Sequence, residues 1–152
     1  MDKKTSTDNV YKRYLPKRYI IKTLVDPREK LENMEIKLAK VKSNKEYALL
    51  NFHRQYGYKI DFHSFMKNIF YPYEYFVFLN NKPEINKSLY DEIPAGEYIC
   101  FKTQILNESW DPKLLEKVIG KNSNIKMVLA LEFEDNLSYD WLNAYYEVQI
   151  LL

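Results

Sequence analysis

Apolar and polar residues alternate or recur at helical spacing along this chain, and the pattern divides it into short strands and helices. The first strand is predicted in "VYKRYLPKRYIIKTL", where β-branched and aromatic residues dominate and the proline restricts the early part to an edge or a bulge. A helix is predicted in "DPREKLENMEIKLAKV", because Asp26 can cap it and Pro27 suits the first helical position. Ser43 and Glu46 form a capping-box pattern, which predicts a second helix that Gly57 ends.

Further strands are predicted from the alternating or continuous apolar pattern in "YKIDFHSFM", "YEYFVFL", "IPAGEYICFKT", "KMVLALEFE" and "YYEVQILL". A helix is predicted in "WDPKLLEKVIG", where Asp111 and Pro112 repeat the earlier helix start and Gly120 ends the helix. We predict a turn in "NNKP" and a loop in "DNLSYDWLN". Residues 1–9 are polar, and we expect them to be disordered or to form a linker.

Two phrases of the sequence occur once in each half of the chain. "LPKRYIIKT" resembles "IPAGEYICFKT" when two one-residue gaps are allowed, and "YEYFVFL" aligns without gaps with "YEVQILL". Each half is then a strand, a helix that begins at Asp-Pro, and two strands. The sequence therefore predicts one α+β domain over residues 10–152. Its two tandem β-α-β-β repeats, about 10–82 and 83–152, would have pseudo-two-fold symmetry, an antiparallel sheet and a central ligand groove.

Period-two alternation identifies the side chains that face this groove, on the side of the sheet away from the helices. These side chains are Tyr145, Glu147 and Gln149 in the last strand and Glu74, Phe76 and Phe78 in the equivalent first-half strand. Glu132 and Tyr98, on two other strands of the second half, complete the candidate ligand-binding set. A carboxylate among aromatic rings attracts a cation, and each ring adds roughly 0.5–2 kcal/mol of cation–π attraction. The alternatives are a structural role for Glu147, hydrogen-bonded to nearby tyrosines, and solvent-exposed positions for Glu74 and Glu132.

Composition and charge exclude several classes of function. The chain has 23 basic and 21 acidic residues and no basic stripe, so we expect DNA to be contacted only through a separate domain. Its 14 tyrosines fit a pocket that is partly exposed to water, because tyrosine combines an apolar ring with a hydroxyl group. A single cysteine, Cys100, suits a reducing cytoplasm, and no segment resembles a signal peptide or a membrane span. His53 and His63 lack metal-site spacing and no nucleophile motif occurs, so we expect no metal, no cofactor and no catalytic residue.

Four segments together resemble the GyrI-like family, also known as the bacterial transcription activator effector-binding domain: "YLPKRYII", "FYPYEYFVFL", "EIPAGEYICF" and "YYEVQILL". The resemblance covers the chain from about Val10 onwards. It implies tandem repeats around a groove that, in drug-sensing members, takes lipophilic and often cationic aromatic molecules with tyrosines and a buried glutamate. Glu147 matches the glutamate of the family's closing strand. Some members use the penultimate strand instead, where this chain has Ala130 or Glu132.

The resemblance favours a small-molecule effector-binding domain of a bacterial transcription regulator, of the MerR multidrug type, with a hydrophobic or cationic ligand. In full-length regulators of this type, a helix outside this chain usually mediates dimerisation. The polar start of the chain fits either a linker remnant of a regulator or the natural terminus of a free-standing protein. Two alternatives remain. One is a free-standing hydrolase in which Glu147 acts as a base on water, with Trp110 and Trp141 as helpers, and the other is an interaction protein of the topoisomerase-inhibitor kind.

Overall fold

A computed structural model of the chain describes residues 10–120, 125, 127–133 and 143–152. Over these residues the strands are β1 (Tyr11–Leu15), β2 (Arg18–Leu24), β3 (Phe52–Ile60), β4 (Pro72–Leu79), β5 (Asp91–Ile93), β6 (Gly96–Thr103), β7 (Met127–Glu132) and β8 (Tyr146–Leu151). The α-helices are α1 (Asn33–Lys42), α2 (Phe62–Met66) and α3 (Pro112–Ile119). The described part of the chain is therefore a sheet-rich α+β fold, as predicted.

The strands form one antiparallel sheet in the order β1-β6-β8-β7-β3-β4-β2-β5. The two edges of this sheet are covalently continuous, because β1 continues into β2 and β5 continues into β6. Each pair of strands is separated by a proline, which cannot donate a hydrogen bond to a neighbouring strand. The β1–β6 pairing and the β2–β5 pairing share one continuous register, which runs from Tyr11 opposite Cys100 to Ile20 opposite Asp91. The sheet therefore closes on itself at the two prolines.

Closure gives the sheet two faces with separate apolar clusters. The helix face packs against α1, α2 and α3, through side chains such as Met34, Phe65 and Leu115. On the other side lies an inner cluster, to which strands from all around the sheet contribute. The inner cluster consists of Leu15, Ile20, Phe76, Phe78, Ile93, Tyr98, Cys100, Leu129, Leu131 and Leu151. Because side chains alternate along each strand, strands such as β4, β6, β7 and β8 contribute residues to both clusters.

Several predicted elements are confirmed. Asp111 caps α3, with its Oδ1 accepting the Lys113 N–H at 2.9 Å, and Gly120 ends that helix with a φ of 68°. The strands predicted in "YEYFVFL", "KMVLALEFE" and "YYEVQILL" correspond to β4, β7 and β8. The phrase "LPKRYIIKT" covers β2 up to Thr23, and "IPAGEYICFKT" includes β6. The predicted loop "DNLSYDWLN", with Trp141, lies almost wholly outside the described residues.

Other predicted elements are wrong. Helix α1 begins at Asn33 rather than after Asp26, because Asp26 forms an isolated turn in which its Oδ1 accepts the Arg28 N–H at 2.9 Å. The predicted second helix is only a 3₁₀ turn at Lys45–Tyr47, capped by Asn44. Strand β3 then runs through Gly57, which does not end a helix.

The strand predicted in "YKIDFHSFM" is also wrong in its second part. β3 ends at Ile60 and α2 follows, because Asp61 Oδ2 accepts the Ser64 N–H at 2.9 Å and so caps a helix. Phe65 of α2 is fully buried and stacks on Trp110, with ring centres 5.1 Å apart. Trp110, which the sequence offered as a catalytic helper, donates from Nε1 to the Phe65 carbonyl at 2.9 Å and is a core residue.

Candidate functional site

The inner face of the sheet, where the sequence predicts a ligand groove, holds a packed core among the described residues. Phe76, Phe78 and Tyr98 are buried in the inner cluster. Arg18 extends into the same region, with its guanidinium carbon 5.2 Å from the ring centres of both Phe78 and Tyr98. Two of the predicted aromatic contacts of a cationic ligand therefore contact the protein's own cation instead.

A chain of hydrogen bonds leads from Arg18 to Glu147. Arg18 Nη1 donates to Gln149 Oε1 at 2.8 Å, and Gln149 Nε2 donates to Glu147 Oε2 at 2.8 Å. The Tyr11 hydroxyl donates to Glu147 Oε1, and burial together with this bond raises the pKa of Tyr11. Glu147 is thus held by two neutral donors. This arrangement matches the structural alternative stated for Glu147, in which tyrosine hydrogen bonds satisfy the carboxylate.

Glu74 occupies a second, separate polar network on the inner face. Lys22 Nζ lies 3.0 Å from Glu74 Oε1, and Lys59 Nζ lies 2.9 Å from Glu74 Oε2. Lys22 also contacts Asp91 Oδ2 at 2.6 Å. Glu74 is therefore buried rather than solvent-exposed, and two lysines supply the charge that a cationic ligand would bring.

Tyr145 lies away from these buried groups. Its ring is half-exposed, and Lys102 Nζ lies 5.0 Å from the centre of that ring and 4.9 Å from the centre of the Phe133 ring. Lys102 stands opposite Glu147 in the β6–β8 register. Tyr145 thus lies at the exposed end of the inner face, again beside a cation of the protein itself.

Glu132 lies on the opposite face of the sheet from Glu74 and Glu147. In the β7–β8 register Leu131 stands opposite Glu147, so Glu132 points to the helix face, as do Val128 and Ala130. There it lines a cavity of about 160 Å³ between the sheet and the start of α1. The cavity is lined by Leu31, Glu32, Glu35, Tyr58, Tyr75 and Glu132. The seven predicted residues are therefore not brought together on one surface.

Tyrosine rings surround the inner part of this cavity. The ring centres of Tyr58 and Tyr75 lie 4.9 Å apart, and Tyr56 stacks on Tyr75 at 5.8 Å. Tyr146 lies 6.2 Å from Tyr58 between ring centres. The Tyr75 hydroxyl donates to Glu132 Oε1 at 3.4 Å, a long hydrogen bond that compensates the carboxylate only weakly.

Burial dominates the electrostatics of the cavity. Burial first, and the negative charge of Glu35 second, raise the pKa of Glu132 to about 7, against an opposing effect of the Tyr75 hydrogen bond. Burial and the negative charge of Glu132 also raise the pKa values of Tyr58, Tyr75 and Tyr146, so all three stay neutral. The pKa of Glu132 therefore lies near neutrality. A positive charge in the cavity would favour its ionised form.

The sequence did not identify Glu35, Tyr58 or Tyr75 as site residues. Period-two alternation predicts Tyr75 on the side of its strand opposite Glu74 and Phe76, and it predicts Glu132 on the same side of its strand as Ala130, so Tyr75 and Glu132 could have been combined. Tyr58 joins them only because β3 pairs with both β4 and β7. That long-range pairing has no local sequence signal.

Other parts of the described chain offer weaker sites. A larger cavity, of about 430 Å³, lies between the loops at 45–51 and 79–85, where Lys45 and Lys82 balance Glu46 and Glu84 at the surface. It contains no buried titratable side chain, so we regard the Glu132 cavity as the candidate site despite its smaller volume. Among the described residues, no three His, Cys, Asp or Glu side chains are grouped so that they could hold a metal ion. Nor is any helix in this part of the chain long and apolar enough to cross a membrane.

Comparison with known proteins identifies similar structures but no family. No protein-family model and no curated protein matches the chain. An uncharacterized conserved protein from Listeria innocua is similar with a TM-score of 0.49 and 9% identity, covering 93% of this chain and 90% of that one. An integron cassette protein from the mobile metagenome of Vibrio cholerae gives 0.45 and 12%, covering 95% of each chain. A hydrolase from Listeria innocua gives 0.47 and 10%, with 93% and 90% covered.

Proposed function

We propose that this protein binds a small organic cation in the cavity beneath α1, with Glu132 as its counter-charge. One observation carries the proposal: a largely buried carboxylate lines an aromatic cavity, and its one side-chain partner among the described residues is a long tyrosine hydrogen bond. An ionised carboxylate in such surroundings is costly unless a cation compensates it. The neighbouring tyrosine rings add cation–π attraction, so the site is suited to an ammonium group attached to an apolar or aromatic body.

Benzylammonium is the appropriate first probe, because it combines one positive charge with one ring. Benzyl alcohol and benzoate have the same skeleton without the positive charge. Isothermal titration should detect binding of benzylammonium and of neither control. Glu132→Gln keeps the size of the side chain and an acceptor for Tyr75, yet it should weaken benzylammonium binding about tenfold or more, because a charge-assisted contact is lost.

Glu147→Gln is the matched control variant, since it makes the same chemical change on the inner face. It should leave benzylammonium binding unchanged. If Glu147→Gln abolishes binding and Glu132→Gln does not, the ligand binds on the inner face and the proposed site is wrong. If benzylammonium and benzoate bind equally, the cavity does not select for charge, and the cation proposal fails.

The proposal extends to the role of the domain. We propose that the cavity serves as the sensor of a GyrI-like effector-binding domain, with DNA contacted through a separate domain. The combination of a sheet-rich α+β fold, clustered tyrosines and a buried glutamate supports this role. The strand that supplies the carboxylate is the penultimate one, which is one of the two alternatives that the resemblance implies.

We propose in addition that the chain consists of two β-α-β-β repeats related by a pseudo-two-fold axis. In this description β1 and β2 together are the first strand of one repeat, and β5 and β6 together are the first strand of the other. Exchanging β1 with β5, β2 with β6, β3 with β7 and β4 with β8 turns each strand pairing into an observed pairing, and the β3–β7 pairing into itself. The register supports the same exchange: Glu74 stands opposite Lys59 of β3, and Glu147 stands opposite Leu131 of β7. Under this exchange Glu132 corresponds to Ile60, which is buried. The proposed ligand carboxylate would therefore be specific to the second repeat.

Hydrolysis is a second candidate function, which the pKa of Glu132 favours. A carboxylate with a pKa of about 7 is suited to accept a proton from water near neutral pH. Hydrolysis of a neutral aryl ester should then rise as pH increases through 7 and should be lost in Glu132→Gln. Ester turnover that is equal in Glu132→Gln and the unaltered protein would exclude this candidate.

A further inference from the structure

The cavity beneath α1 has acidic side chains both at its inner end, on the sheet, and at its solvent-exposed rim. Glu132 lies at the sheet side and is largely buried, whereas Glu32 and Glu35 stand at the start of α1 and are exposed to solvent. Tyr58 and Tyr75 line the cavity from the sheet. No basic side chain belongs to the lining formed by the described residues. A ligand with one positive charge would therefore neutralise Glu132 and leave two carboxylates at the rim.

The carboxylate of Glu35 acts across the cavity. Its negative charge raises the pKa of Glu132 and also those of Tyr58, Tyr75 and Tyr146. Glu35 lines the same cavity as Glu132, Tyr58 and Tyr75, so its charge lies close to these groups on the sheet. The carboxylates of Glu35 and Glu132 therefore repel each other, and a second positive charge between the rim and the sheet would relieve this repulsion.

The volume of the cavity limits the size of the ligand. At about 160 Å³ it is smaller than the ~300–1,000 Å³ of pockets that hold drug-sized molecules. From the acidic side chains at both ends of the cavity and this volume, we infer that the ligand is a small dication: two positively charged nitrogen groups joined by a short apolar or aromatic spacer. The inner group would contact Glu132, the spacer would lie against Tyr58 and Tyr75, and the outer group would lie near Glu35 and Glu32. This inference rests on the proposed function.

The test compares two probes with one skeleton. 1,4-Bis(aminomethyl)benzene carries two ammonium groups, whereas 4-methylbenzylamine replaces one of them with a methyl group. The diamine should bind about two- to fivefold more tightly, the gain typical of an exposed ion pair. This advantage should shrink at about 0.5 M NaCl, because salt screens exposed charges.

Glu35→Gln should remove most of the advantage of the diamine over 4-methylbenzylamine, while 4-methylbenzylamine should still bind. Retained monoamine binding also demonstrates that the variant is folded. Glu32→Gln should have a smaller effect of the same kind. Glu116→Gln, on an exposed position of α3, is the matched control and should preserve the advantage in full.

The outcomes separate this inference from the proposed function. If the two amines bind equally tightly, or if Glu35→Gln weakens both to the same degree, the dication inference is overturned while the cation site stands. If neither amine binds, the proposed function itself fails. A diamine advantage that persists unchanged in Glu35→Gln and Glu32→Gln would also overturn the inference, because the second charge would then lie elsewhere.

Discussion

Three glutamates that the sequence offered as ligand contacts are compensated in three different ways. Glu74 is paired with two lysines, and Glu147 accepts hydrogen bonds from a tyrosine and a glutamine. Within the described part of the chain, the Glu132 side chain accepts one long hydrogen bond, from Tyr75. The residue type and the strand face predicted from the sequence do not show which of the three carboxylates is compensated by neighbouring side chains. The distinction depends on neighbours that long-range pairing brings in, namely Lys59, Tyr11 and Tyr75.

Arg18 provides a test at the residue scale. Arg18→Ala removes the donor to Gln149 and the packing against Phe78 and Tyr98, and it should cost about 1–3 kcal/mol of unfolding free energy. Arg18→Met keeps the length of the side chain and removes Nε and Nη2, which are buried and make no hydrogen bond to any residue that the structure describes. Arg18→Met should therefore lie within about 1 kcal/mol of the unaltered protein. Urea unfolding measures both variants. A methionine variant as unstable as the alanine variant would show that the guanidinium charge itself stabilises the inner face.

At the scale of elements, Asp-Pro marks a helix start in one place and a turn in the other. Asp111 caps α3, and the periodic apolar residues follow at once. Asp26 is followed by charged residues up to Lys30, and α1 begins where Met34 and Leu38 can be buried. The local signal was the same at both sites, and burial decided between them. The α2 cap at Asp61 was a signal present in the sequence, but the alternating pattern around it favoured a strand.

Gly57 tests the packing where β3 lies between β4 and β7. A Cβ there would lie 2.6 Å from Leu131 Cδ2, 2.9 Å from the Ala130 carbonyl oxygen and 2.9 Å from Phe76 Cζ. Gly57→Ala should therefore lower the unfolding free energy by about 1–3 kcal/mol through overpacking.

Gly96→Ala is the matched control for Gly57→Ala. Its Cβ would approach only the flexible end of Leu151, at 2.8 Å, so its effect on urea unfolding should be clearly smaller. Equal destabilisation by the two substitutions would contradict the close approach of β3 to its neighbours. A loss of benzylammonium binding in Gly57→Ala would not be informative without this comparison, because Tyr58 is the next residue and lines the cavity.

At the scale of the whole molecule, the sequence predicted the α+β class and the strands that close each half. It could not predict that the sheet would join its own ends, since that depends on β1 meeting β6 and β2 meeting β5 at long range. This closure changes the location of the site. With Arg18 and the inner cluster on one face, the aromatic cavity with a poorly compensated carboxylate lies on the helix face instead.

The most direct measurement is the titration of the Glu132 carboxyl carbon by ¹³C NMR, with and without benzylammonium. We expect a midpoint of about 7 without the cation, because burial disfavours the ionised form of Glu132. Saturating benzylammonium should lower the midpoint by about one pH unit or more, since it stabilises the ionised carboxylate, and affinity should rise correspondingly as pH increases through 7. A midpoint near the ordinary 4.5, or one near 7 that benzylammonium does not move, would contradict a cation site at Glu132.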